Sequence, residues 1–145
     1  MAAISSISNG EGMSSVRTKL NSVITEVNLL DPTDWVDYSA TSTIVGWTGT
    51  FVVKQLRYRV VGKQVFVLVN LEATSNSTST NFTLPFQSKN TQLSTMYAYD
   101  SLGPNWGLFG VVANSSTVTC YKASSASWSS SGTKSVTGQF FYEIA

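Results

Sequence analysis

The chain has 145 residues, a formal net charge of +1, 12 % charged residues and no histidine. With no clustered Lys and Arg, phosphate-driven nucleic-acid binding is not expected. With no histidine, the commonest general base and metal ligand is absent, which argues against zinc sites and His-activated nucleophiles. Roughly a quarter of the residues are Ser or Thr, well above ordinary usage, and this is a β-and-loop composition with an uncharged polar surface.

Met1 to Gly12 shows neither a basic n-region nor an apolar h-region, so no signal peptide is expected. There is no apolar stretch of the roughly 20 residues that a membrane helix needs, so no membrane insertion is expected. The single cysteine, Cys120, cannot form an internal disulfide. The expectation is a whole gene product that folds in a reducing cytoplasm.

The first organised stretch is Met13 to Leu30. Its apolar residues Met13, Val16, Leu20, Val23, Val27 and Leu30 alternate three and four apart, the a/d rhythm of a heptad seam. On a helix they form an arc of roughly 100°, and most residues between them are polar. A helix this short is marginal alone in water, so the seam must be buried on something. It can pack on the β domain of its own chain, or it can pair with other copies in a parallel bundle. Val16 and Val23 at one core position, Leu20 at the other and Ile24 at a flanking position favour three strands over two. Leu30, Asp31 and Pro32 then end the helix. Residues 31–40 read as a connector, in which Asp31, Asp34 and Asp37 supply turn and cap chemistry in place of a calcium loop.

From residue 41 the period becomes two. Thr43 to Lys54 is strand-like, and Leu56 to Val61 alternates. After a Gly62-Lys63 turn, Gln64 to Glu72 puts Val65, Val67, Val69 and Leu71 on one face and Phe66 and Leu68 on the other. Because both faces of that strand are apolar, both are expected to be covered. Further strands are expected at Asn81–Leu84, Leu93–Tyr99, Trp106–Ala113, Ser116–Ala123 and Val136–Ile144. Strands at this spacing, with no helical period, predict a mainly β fold: a jelly-roll-like antiparallel sandwich over residues 41–145, preceded by a short helix. Trp128, alone in the Ser-rich stretch Ser124 to Thr133, reads as a pin into the core more readily than as a contact residue.

No catalytic residues, metal ligands or cofactors are assigned. The eight carboxylates include Asp100 and Glu72, but nothing in the sequence makes them face each other as a glycosidase pair. Three Asn-x-Ser/Thr matches read as chance in a Ser/Thr-rich chain, and Cys120 reads as a small buried hydrophobe.

Two stretches resemble a known family. Gly12-Met13-Ser14-Ser15-Val16-Arg17-Thr18-Lys19-Leu20-Asn21 is similar to the Arg-x-Lys-(Ile/Leu)-Asn motif near the start of bacteriophage tail-fibre and head-fibre proteins, where it opens a trimerising helix. Trp35-Val36-Asp37-Tyr38, Val45-Gly46-Trp47, the Tyr58 to Val65 hairpin and Phe82-Thr83-Leu84-Pro85-Phe86 resemble the knob domains that cap such fibres, which are trimeric jelly rolls related in shape to the C1q and tumour-necrosis-factor fold. The tail from Tyr97 onward matches nothing beyond a continuing sandwich. The resemblance implies a homotrimeric virion protein made in the bacterial cytoplasm. Residues 1–12 would dock on other virion proteins, residues 13–30 would trimerise, and the knob would face outward as a head fibre, a capsid decoration or a tail fibre. The alternative is a carbohydrate-binding module, with host-surface glycan contacts drawn from Tyr97, Tyr99, Asp100, Asn105, Trp106 and Trp128. A signalling ligand of the C1q type conflicts with the missing signal peptide.

Overall fold

The computed structural model describes residues 12–30, 35–123 and 126–145, with the backbone alone for residues 23–30. The chain divides into two units, residues 1–33 and 34–145. The first contains helix α1, Met13–Leu30, which is the stretch with the heptad spacing. The Val16 N–H donates to the Gly12 carbonyl at 3.1 Å, and the Thr18 hydroxyl donates to the Ser14 carbonyl at 3.0 Å. Of the seam residues, Met13 is 84 % and Leu20 48 % exposed, while Val16 is half-buried. The side chains of Val23, Val27 and Leu30 lie outside the described residues.

The second unit is a nine-stranded antiparallel sheet. Its strands are β1 Val36–Asp37, β2 Ile44–Val45, β3 Trp47–Val61, β4 Gln64–Ser75, β5 Asn81–Thr83, β6 Gln92–Asp100, β7 Gly103–Val111, β8 Thr117–Lys122 and β9 Thr133–Glu143. The spatial order is β1-β3-β4-β9-β6-β7-β8-β5-β2. Adjacent strands β3 and β4, β6 and β7, and β7 and β8 pair directly. The chain crosses the sheet between β4 and β5, between β5 and β6 and between β8 and β9, and it passes from one edge of the order to the other between β1 and β2 and, through Gly46, between β2 and β3.

This sheet is curled into a sandwich. Phe82 on β5 and Phe140 on β9 are four strand positions apart, about 19 Å in a flat sheet at ~4.8 Å per strand. Their ring centroids are in fact 6.5 Å apart, with Phe109 of β7 touching both. The two outermost strands, β1 and β2, are joined by residues 38–43 alone. Ser39 bonds to Leu56 beside β1, and Ser42 and Thr43 bond to Thr83 on β5. Curling thus brings the two sheet edges together, joined by residues 38–43 and again through Gly46 between β2 and β3.

The alternation in β4 carries over directly. Val65, Val67, Val69 and Leu71 are buried in the core, and Phe66 and Leu68 lie half-buried on the outer face. The β3–β4 turn is Gly62-Lys63, with Gly62 at φ 60°, the backbone that a two-residue hairpin requires at this position. Several strands differ from the sequence reading: the stretch read as one strand from Thr43 is divided at Gly46, with Ile44–Val45 pairing with β5, and β7 begins at Gly103 instead of Trp106. Lys54 and Leu56 do not end separate strands: Gln55 pairs with Asn70, and β3 runs unbroken from Trp47 with register shifts near Phe51. Val36 and Asp37, inside the segment read as a connector, pair with Tyr58 and Arg57 as an edge strand, and the adjoining Tyr38 and Ser39 are buried.

Candidate interaction surface

Period-two alternation decides what β6 shows to the outside. Met96, Ala98 and Asp100 point into the core, while Leu93, Thr95, Tyr97 and Tyr99 are exposed. Its partner β7 buries Gly107, Phe109 and Val111 and exposes Pro104, Trp106 and Leu108. From β8, Tyr121 is half exposed on the same face. None of these outward residues is charged.

Tyr97 and Trp106 stand directly opposite each other, with ring centroids 6.4 Å apart at 89°. Trp106 is 70 % exposed. Two register steps along, Leu108 lies between Thr95 and Tyr121. Next to it Gly110 leaves room for the Tyr121 ring, since a Cβ there would meet Cε2 of that ring at 2.6 Å. Leu93 closes over the same glycine. The result is a continuous apolar face of Leu93, Tyr97, Trp106, Leu108 and Tyr121. It borders a cleft of about 1030 Å³ whose other walls include Asn81, Thr119 and Ser127.

The structure therefore separates the six proposed contact residues. Tyr97, Tyr99 and Trp106 are exposed, and Asn105 is half-buried beside them with its Oδ1 accepting from the Trp106 N–H. Asp100 and Trp128 are not on the surface, and the contact reading is corrected for both. Trp128 is 4 % exposed, and its Nε1 donates to the Cys120 carbonyl at 2.8 Å. It is the core pin, because an indole can be buried once its N–H has a partner. Asp100 is fully buried and accepts from Lys122 Nζ at 2.8 Å, from the Ser129 N–H and from the Leu102 N–H. Burial by itself raises the Asp100 pKa, but Lys122 and the two N–H donors outweigh it and hold the carboxyl below its ordinary value.

A second buried cation lies nearby and was not singled out from sequence. Lys134 on β9 is fully buried, with Nζ donating to the Gly46 carbonyl, the Ser77 carbonyl and the Thr80 hydroxyl at 3.0, 2.7 and 3.0 Å. The indoles of Trp47 and Trp128 flank it at 5.5 and 5.3 Å. Desolvation lowers its pKa to about 8 despite the pull of Asp100.

The outer face of β3, β4 and β9 is apolar in a different way. Phe66 and Phe141 pack at 6.0 Å, and the Arg59 guanidinium lies 5.2 Å from both the Phe66 and Trp35 rings. Arg57 pairs in register with Leu68 on the same face.

Among the described residues no group of three or more His, Cys, Asp and Glu could hold a metal ion. None of the described helices is long and apolar enough to cross a membrane. Glu72 lies on the outer face of β4 and Asp100 inside the sandwich, so the two do not converge. Comparisons with protein-family models, curated proteins and solved structures found no match.

Proposed function

We propose that the chain is a non-enzymatic structural protein that assembles as a homotrimer, the knob of a bacteriophage head fibre, capsid decoration or tail fibre. In this reading residues 1–12 dock on other virion proteins, α1 sets the threefold axis and the β unit projects from the particle. The observation that carries it is the apolar edge of α1, with Met13 and Leu20 exposed in the single chain ahead of a curled β unit. Exposed heptad positions on so short a helix need a partner. The resemblance of Arg17 to Asn21 and of the Tyr58 to Val65 hairpin to fibre proteins supplies the biological setting. Copy counting on purified particles containing the chain tests it: copies grouped in threes are expected, and isolated single copies would refute it.

The exposed Tyr97–Trp106 pair favours a second reading, a carbohydrate-binding module. A glycan array that gives hits abolished by Trp106→Ala supports that reading, and an array without hits removes it.

A further inference from the structure

The face formed by Leu93, Tyr97, Trp106, Leu108 and Tyr121 extends well beyond the Tyr97–Trp106 pair, which favours an occupant larger than a single sugar ring. Here the two central rings meet edge to face at 89°, and two of the five residues are aliphatic. An uncharged mixture of Tyr, Trp and Leu on a pleated surface matches the centre of a protein–protein contact.

We infer that this face packs against a second copy of the same β unit, on the different surface formed by Arg57, Phe66, Leu68 and Phe141. The inference rests on the homotrimer proposed above and names its second contact. Three observations select this occupant. The first is reach: Leu30 and Trp35 are five residue steps apart, about 18 Å at full extension, so helices joined in a bundle hold their β units together at high effective concentration. The second is symmetry. A threefold ring joins two different surfaces, and a contact of the β3–β4–β9 face with itself would set Arg57 and Arg59 against their own copies. The third is complementarity, because an arginine-bearing aromatic surface meets a face of Trp and Tyr with no cation of its own.

Iodide quenching of tryptophan fluorescence tests this on the full chain. Trp47 and Trp128 are buried and Trp35 is half-buried, so Trp106 dominates quenching in a lone chain. In the full-length assembly Trp106 should be shielded, as shown by subtracting the Trp106→Phe signal. Quenching should rise at least threefold in Leu20→Asp, which disrupts the helix seam. Trp106→Lys and Phe141→Glu, on the two opposed surfaces, should each raise the concentration at which trimers dissociate by tenfold or more. A trimer in which Trp106 is quenched as strongly as in Leu20→Asp overturns this contact and leaves the helix bundle standing. Glycan-array hits lost in Trp106→Ala, with trimer mass unchanged, also overturn it. A full chain that is monomeric removes the trimer and this contact together.

Discussion

Lys134 Nζ donates to the carbonyl oxygen of Gly46 at 3.0 Å, across 88 positions of sequence, and among the described residues no carboxylate is bonded to it. Its three acceptors are all neutral, so they offset only part of the cost of burying the charge. The folded-state pKa of about 8 lies below the ordinary 10.5, so the unfolded chain binds this proton more tightly than the folded one. Stability therefore rises with pH across this window. Between pH 7 and 9 the rise should be about 1 kcal/mol. Burial also raises the Cys120 thiol and the Tyr38 phenol, and it raises the Tyr142 phenol to about 12. Those groups oppose the trend as pH climbs through 9 and beyond. Urea unfolding at both pH values should show the slope in the native chain and lose it in Lys134→Met.

Asp100 and Lys122 form a buried pair, and removing one partner strands the other. Asp100→Asn should cost about 3 kcal/mol by leaving an uncompensated ammonium inside the sandwich. The double variant Asp100→Asn/Lys122→Met should recover a large part of that loss, which a double-mutant cycle measures. Because the Asp100 pKa is depressed, its contribution is present above the ordinary carboxylate pKa and is lost as pH falls below it.

The two tryptophans on either side of the sheet should behave oppositely. Trp128→Ala empties a core site and removes the bond to Cys120, costing about 3–5 kcal/mol. Trp106→Ala, measured in the Leu20→Asp background so that assembly does not contribute, should change unfolding stability by less than about 0.5 kcal/mol.

Much of this architecture is legible in the chain itself. The three-four spacing from Met13 to Leu30 marks α1, and the alternation of Val65, Val67, Val69 and Leu71 against Phe66 and Leu68 marks a strand with two apolar faces. The surface was harder to read. In β7 both Trp106-Leu108 and Phe109-Val111 are apolar, so hydrophobicity alone does not tell inside from outside. The phase is set by Met96 and Phe109 packing inward and by Gly110 admitting the Tyr121 ring. Leu93, Leu108 and Tyr121 therefore went unnoticed as surface residues. Asp100 and Lys134 were hidden for a different reason. Charged residues are buried only where distant chain supplies partners, and the strand order that sets Lys122 beside Asp100, and Gly46 and Ser77 beside Lys134, leaves no local sequence signal.

The molecular mass of the full-length chain in solution bears most directly on the trimer. Size-exclusion chromatography with light scattering at micromolar concentration should give three times the 15.7 kDa of one chain, and Leu20→Asp should fall to a single chain. A native chain that elutes at 15.7 kDa and does not respond to Leu20→Asp would contradict the account.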